Sequence, residues 1–323
     1  MISRVTLILN NSCNANCHYC YETHECDHKE LKLSSIEYFI NFIYSNYKFE
    51  DNCILEILGG EPSLYSNWRD LIAIINKLRF KRIIVFTNGI KYIPELKYIN
   101  QTNRDVRIKI AKNNSALKIV NKYKFDGLKV DEYFIVTKRN MNDIPDDCDM
   151  ILCEYIGDET IDLDFDDVYN ISYKKLMETN ASNLGLFYLS KAVAGDLYFS
   201  PRNTCLPYIE EIAIRYDDKI VPCSRCNHMN IGIDIYSDNA FDKIREESDK
   251  LVNIDTIGIS ETGEDCFSCP LKYACHPCLM IKGDTVYNDN GLIHSAKKCQ
   301  HEKDVCRAQL AALRDYKKIM KGK

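Results

Sequence analysis

Strand-like and helix-like stretches alternate through the first half of the chain, and three of the strand-like runs end in loops of unusual composition. V-T-L-I-L (5–9) leads into Cys13-x3-Cys17-x2-Cys20. C-I-L-E-I-L (53–58) ends at Gly59-Gly60-Glu61-Pro62, and R-I-I-V-F (82–86) stops at the turn signal Thr87-Asn88-Gly89. Between these runs Ile36, Phe39, Ile40 and Ile43 recur at helical spacing, as do Leu71, Ile74, Ile75 and Leu78. Ser34 and Glu37 predict a capping box for the first helix. V-R-I-K-I (106–110), Y-F-I-V (133–136) and M-I-L-C-E-Y-I (150–156) are further strand candidates, with a helix expected over 115–123.

This rhythm predicts parallel strands joined by crossover helices. A full eight-fold barrel takes about 250 residues, and the composition changes already after Gly195. A partial barrel or an open α/β sheet therefore fits residues 1–195. Residues 196–323 form a second, smaller cysteine-rich domain, closed by a helix over Lys303–Met320. The acidic stretch Asp143–Asp167 has no ligand spacing and reads as a solvated face.

The net charge of −5 offers no global basic field for nucleic acid. No apolar stretch approaches the roughly 20 residues of a membrane span. The start, M-I-S-R-V-T-L-I-L-N, lacks a small-residue cleavage site and reads as a first strand, so a cytoplasmic location is expected. In a reducing compartment disulfides are rare, and sixteen cysteines point to metal or redox chemistry.

Cys13, Cys17 and Cys20 offer three thiolates from one short loop. Full ligation of a four-iron cubane normally takes four cysteines, so three leave one iron open to a small molecule. A structural zinc site wants four closed ligands, for which His18 or Cys26 is nearby. Iron–sulfur binding, zinc binding and plain packing all stay open on the cluster alone. Gly59-Gly60 allows close approach of backbone to a ligand, and the Glu61 carboxylate can face a ligand amine. A bland turn explains that tetrapeptide equally well.

Taken together and in order, the three loops resemble the radical S-adenosylmethionine (SAM) superfamily. Its C-x3-C-x-aromatic-C signature is met by Cys13, Cys17, Tyr19 and Cys20. Its Gly-Gly-Glu-Pro segment is met by Gly59, Gly60, Glu61 and Pro62, and its third-strand T-N-G by residues 87–89. The resemblance implies a partial (β/α)6-type TIM barrel. It also implies a 4Fe-4S cluster on the three cysteines whose open iron binds SAM beside the 59–62 segment. Cleavage of SAM would yield a 5′-deoxyadenosyl radical that takes a substrate hydrogen.

The second half carries Cys205-x17-Cys223-x2-Cys226, with I-A-I-R-Y-D-D-K-I-V-P-C (212–223) reading as a hairpin that delivers Cys223. Cys266, Cys269, Cys275 and Cys278 then fall within thirteen residues, followed by Cys299 and Cys306. Zinc is a physical alternative for these. The region resembles the SPASM extension of radical SAM enzymes, which carries two auxiliary clusters. Asp218 stands where that pattern has Gly, and Cys275 and Cys278 are one residue closer than in it. By position, Cys205, Cys223, Cys278 and, as fourth ligand, Cys226 would hold the first auxiliary 4Fe-4S cluster. Cys266, Cys269, Cys275 and Cys299 would hold the second. Cys306 competes with Cys299, but Cys306, Leu310 and Leu313 form an apolar stripe that suits a packed thiol. Cys53 and Cys153 sit in strand runs and read as core.

The resemblance implies an oxidoreductase with three 4Fe-4S clusters, SAM and a flavodoxin- or ferredoxin-type reductant. The implied substrate is a short ribosomal precursor peptide. The barrel starts at residue 1, so a leader-binding domain is expected to be missing or to be a separate protein. Crosslinking removes two electrons from the peptide, and an auxiliary cluster can accept the second. Two auxiliary sites therefore favour oxidative crosslinking over redox-neutral epimerisation. Small-molecule dehydrogenation is a minor alternative. A sulfatase maturase would carry an acid after Cys223, where this chain has Ser224.

Overall fold

The computed structural model describes residues 1–20, 27–114, 117–145, 150–153, 160–178, 208–224, 232–252, 258–259, 285–288, 291–294 and 296–321. In chain order the elements are β1 (Ile2–Ile8), α1 (Leu33–Asn46), β2 (Phe49–Leu58), α2 (Trp68–Ile75), β3 (Arg82–Thr87) and β4 (Asp105–Ala111). Then follow α3 (Leu117–Phe125), β5 (Lys129–Val136), β6 (Met150–Cys153), α4 (Phe165–Glu178), β7 (Glu211–Ile214), β8 (Lys219–Val221) and β9 (Ile233–Asp234). Last come α5 (Ala240–Val252), β10 (Gly258–Ile259), β11 (Thr285–Asn288), β12 (Gly291–His294) and α6 (Ala296–Lys321).

The chain divides into two compact units, Met1–Glu132 with Leu206–Val252, and Tyr133–Cys205 with Asn253–Lys323. The expected domain boundary near residue 195 lies outside the described residues.

In the first unit β4, β3, β2, β1 and β7 run parallel, and β8 and β9 add antiparallel strands beyond β7. One sheet face is apolar: Val5, Leu7, Leu55, Ile57, Ile83, Val85, Ile108 and Ile212 are all buried. The opposite face carries charge across the strands. Arg4 pairs with Glu56 on β2 and with Glu211 on β7 at 3.3 and 3.4 Å, and Arg107 reaches Asp131 at 3.2 Å. A parallel sheet takes both faces out of water, so these charges are half-buried and paired rather than solvated.

α1 buries Ile36, Phe39, Ile40 and Ile43, the stripe its spacing predicts. Its start departs from the expected capping box. Lys32 is the N-cap and no side chain caps the helix, so Ser34 and Glu37 lie within it. The cause lies one residue earlier: Leu31 N–H donates to Leu9 carbonyl at 2.7 Å, which holds the chain extended until the helix begins. Between β3 and β4 a single 3-10 turn, Pro94–Tyr98, replaces a crossover helix.

The β7–β8 hairpin forms as expected, and Asp218 adopts φ +62° in its turn. Asp218 N–H donates to Arg215 carbonyl at 3.0 Å and Arg215 N–H to Lys219 carbonyl at 2.9 Å. The pattern is a three-residue hairpin loop closing on a left-handed residue, the place where glycine is usual.

In the second unit β5 and β6 pair in parallel, and β10, β12 and β11 form a small sheet. α4 packs along α6 through Val168, Ile171 and Leu176 against Ala308, Ala312 and Tyr316. The two fully buried alanines, four residues apart, let the helix axes approach closely. The acidic stretch is not simply a solvated face. Asp164 and Asp167 cap α4 reciprocally, each backbone N–H donating to the other's carboxylate at 3.2 and 3.0 Å, and Asp162 is buried. The terminal helix forms, but Leu310 is exposed rather than part of the buried stripe, while Cys306 is buried.

Candidate functional site: a thiolate loop held by its neighbours

The loop after β1 carries Cys13, Cys17 and Cys20, all partly buried and none in a disulfide. Cys20 N–H donates to Cys17 carbonyl at 3.0 Å, a tight turn that sets the spacing of the last two sulfurs. Two other strand-end loops reach the sulfurs with amide hydrogens. Asn88, after β3, points its Nδ2 at Cys13 Sγ (3.7 Å) and at Asn14 Oδ1 (2.8 Å). Asn114, after β4, points its Nδ2 at Cys17 Sγ (3.0 Å), and Ala15 N–H adds a donor to Cys13 Sγ at 3.4 Å.

The Gly59–Pro62 segment lies directly beneath this loop. Gly60 N–H donates to Asn10 carbonyl (2.8 Å) and Glu61 N–H to Ser12 carbonyl (2.7 Å), continuing the β1–β2 ladder past both strand ends. A Cβ at Gly60 would sit 2.6 Å from the Ser12 carbonyl carbon, and one at Gly59 would sit 2.9 Å from Asn10 Oδ1. Both glycines are therefore explained by the chain passing over them.

The Glu61 carboxylate does not face outward to a ligand amine, as its sequence context suggests. It is 1% exposed and accepts from three donors of the chain itself. Oε1 takes Ser63 N–H (2.9 Å) and the Thr87 hydroxyl (2.6 Å), and Oε2 takes Asn88 N–H (2.7 Å). The turn it holds closes on Gly89 at φ +69°. Glu61 thus fixes the loop whose Asn88 touches Cys13.

Asn10 and Asn11 also belong to the site and carried no sequence signal beyond being two polar residues straight after a strand. Asn10 is fully buried and bridges the Glu61 backbone, donating from Nδ2 at 3.0 Å and accepting at Oδ1 at 3.3 Å. Asn11 holds the far end of the loop through Asp27 carbonyl (2.6 Å) and Lys29 N–H (2.9 Å).

Burial pushes the Cys13 thiol above its ordinary range. The charges on Glu61 and Cys17 add to that, while Ala15 N–H and the Asn88 amide pull the other way. Among the described residues no three Cys, His, Asp or Glu side chains converge on a point as ligands of a single metal ion do. A cubane asks for something else, thiolates spread over separate irons with hydrogen-bond donors to sulfur, and the loop meets that donor chemistry. Of the zinc alternatives, His18 stacks edge-on against Tyr19 at 5.1 Å and Cys26 lies outside the described residues.

Of the second-half cysteines, Cys223 is buried just past β8, where the hairpin delivers it. Cys299 lies in the first turn of α6, partly buried. Cys205, Cys226, Cys266, Cys269, Cys275 and Cys278 lie outside the described residues, as does Cys148. Cys53 is a core thiol, 4% exposed, pushed by burial up to about 12.

Parallel strands whose C-terminal ends present a three-cysteine loop, a Gly-Gly-Glu-Pro segment and a T-N-G turn define a radical SAM barrel fold. Comparisons with known proteins agree. Residues 3–116 match the family described as a 4Fe-4S single cluster domain. The chain is similar to SuiB of Streptococcus suis bound to S-adenosylmethionine, at 16% identity over 93% of this chain and 77% of that one, with a TM-score of 0.63. SuiB bound to its precursor peptide SuiA aligns at 15% identity over 86% of this chain and 72% of that one, with a TM-score of 0.59. The structure of anSMEcpe with bound AdoMet and a peptide aligns at 15% identity over 98% of this chain and 99% of that one, with a TM-score of 0.60. No curated protein matches the sequence. Among the described residues, no helix is long and apolar enough to cross a membrane.

Proposed function

We propose that this chain is a radical SAM enzyme that oxidatively crosslinks a short ribosomally made peptide through a thioether or carbon–carbon bond. The observation that carries the reading is the clasp on the thiolate loop, in which Asn88 and Asn114 present amide hydrogens to Cys13 and Cys17. In this reading Cys13, Cys17 and Cys20 hold three irons of a 4Fe-4S cluster, and the 59–62 backbone borders the SAM site. The bound cluster and SAM supply a hydrogen-abstracting adenosyl radical. The chain's own part is to place three sulfurs on one loop, to exclude water through buried Asn10, Asn11 and Glu61, and to orient the peptide.

Cys205, Cys223, Cys226 and Cys278 would hold one auxiliary cluster, and Cys266, Cys269, Cys275 and Cys299 the other. The SuiB and anSMEcpe structures contain peptides, and the shared fold supports a peptide substrate here.

The test is iron content after anaerobic reconstitution, followed by mass analysis of a co-expressed peptide. Wild type should hold about twelve irons and a Cys13/Cys17/Cys20→Ala variant about eight, as three cubanes require. The peptide should lose two hydrogens. Deuterium uptake at an α-carbon without other mass change identifies epimerisation instead.

A further inference from the structure

The loop that carries the thiolates is closed at its base by a row of side chains that no motif marks. Ser12, the residue before Cys13, places its hydroxyl 2.5 Å from His28 Nδ1, sixteen positions further on. His28 Nε2 in turn lies 3.3 Å from Glu30 Oε1. Glu30 accepts the Ser66 backbone N–H at Oε1 (2.9 Å) and the Ser66 hydroxyl at Oε2. Ser66 stands two residues before α2, just past the Gly59–Pro62 segment. The row therefore runs from the neighbour of the first cysteine, across both ends of the loop, to the segment after β2.

Both ring nitrogens of His28 are engaged, which sets its tautomer. The Glu30 carboxylate only accepts, so Nε2 carries a hydrogen, and in the neutral ring Nδ1 accepts from the Ser12 hydroxyl. Neither nitrogen is left to ligate a metal, so His28 is not a further ligand of the cluster. The order Ser–His–Glu is that of a hydrolytic triad, but the neighbouring donors are engaged elsewhere. Glu61 N–H goes to Ser12 carbonyl (2.7 Å) and Lys29 N–H to Asn11 Oδ1 (2.9 Å), so neither can serve an oxyanion. What the row does supply is position. Ser12 is gripped by His28 through its side chain and by Glu61 through its backbone. The next residue, Cys13, meets its two amide donors, Ala15 N–H and Asn88 Nδ2, at 3.4 and 3.7 Å.

We propose that His28 is a positioning residue for the first cluster: acting through Ser12, it closes the neck of the thiolate loop and holds Cys13 against those donors. That role rests on the proposed cluster at Cys13, Cys17 and Cys20 and adds to it a residue outside the cysteine signature. Amide hydrogens on a ligand sulfur stabilise the extra negative charge of a reduced iron–sulfur cluster and so raise its potential. With the neck open, Cys13 leaves its donors, its sulfur is more accessible and the potential falls.

The experiment compares the full-length wild type with His28→Ala, Ser12→Ala, Ser12→Thr and the Ser12→Ala/His28→Ala double variant. In the apoprotein the readout is alkylation of Cys13, mapped by peptide mass. In the anaerobically reconstituted protein it is iron release to a chelator and the midpoint potential of the cluster whose spectrum responds to added SAM. The His28 side chain is 54% exposed, so its removal should leave the chain folded. In His28→Ala and Ser12→Ala, alkylation of Cys13 and iron release should both quicken about tenfold, as loss of an outer partner does at a metal site. The midpoint should fall in both, a change that looser packing elsewhere in the chain does not produce. The double variant should match the single ones rather than add to them, and Ser12→Thr, which keeps the hydroxyl, should match wild type. Wild-type alkylation and iron release in His28→Ala overturn the proposal, as do single effects that add in the double variant. A wild type that takes up no iron on Cys13, Cys17 and Cys20 overturns the proposed function instead, and the alkylation rates then still decide for or against His28.

Discussion

The Thr87 hydroxyl donates to Glu61 Oε1 at 2.6 Å, joining the loop after β3 to the loop after β2. With Asn88 N–H on the other oxygen, a single carboxylate sets where the Asn88 side chain meets Cys13. Glu61→Gln replaces one acceptor oxygen with a donor facing N–H or O–H groups. It should cost about 1–3 kcal/mol in stability. It should also lower iron occupancy at the first cluster, measured by denaturant unfolding of the apoprotein and iron assay of the reconstituted one. Full occupancy in the variant would mean that Asn88 is placed by something else.

Gly60→Ala tests whether the glycine pair serves packing. Its Cβ would press on the Ser12 and Asn11 backbone, which has no flexible end to move. Loss of about 3 kcal/mol or more is expected, with the three cysteines then alkylating faster in the apoprotein. A stable variant with normal alkylation but weak SAM binding would place the glycine's role with the ligand.

Asp218 holds a left-handed turn that suits glycine. Asp218→Gly should stabilise the β7–β8 hairpin by about 1 kcal/mol, less whatever the exposed Lys32 pair at 3.3 Å contributes. Asp218→Val should destabilise by a similar amount or more. Thermal unfolding of the three proteins gives the order, and a Gly variant no more stable than wild type would show that the Asp side chain compensates for its backbone.

Cys299 and Cys306 share one helix face yet differ in burial. Cys306→Ala should leave iron content unchanged and cost about 1 kcal/mol of stability, as the loss of a packed sulfur does. Cys299→Ala should remove about four irons, as loss of one cubane requires. Iron loss in the Cys306 variant alone would exchange the two roles.

What the sequence made legible follows the range of the forces involved. The α1 stripe of Ile36, Phe39, Ile40 and Ile43 and the strands β1 to β8 are local patterns and were readable, whereas Asp218 drew notice only against a family pattern that has Gly at its place. The start of α1 was not readable, because Leu31 is held by Leu9, twenty-two residues away along the chain. Asp164 and Asp167 read as part of a charged run because a capping pair is visible only once the helix start is known. The same holds at the site. Its cysteines announce themselves by spacing, whereas Asn10, Asn11 and Asn114 act through contacts set by neighbouring strand ends.

The inward-turned Glu61 also changes what a sequence search for its motif detects. Gly59, Gly60 and Glu61 satisfy demands made by the chain itself: two close crossings and three internal donors. A descendant that lost its cluster would still need them to close its loops. Gly-Gly-Glu-Pro alone therefore reports an architecture, and the thiolates of the preceding loop report whether that architecture still carries redox chemistry.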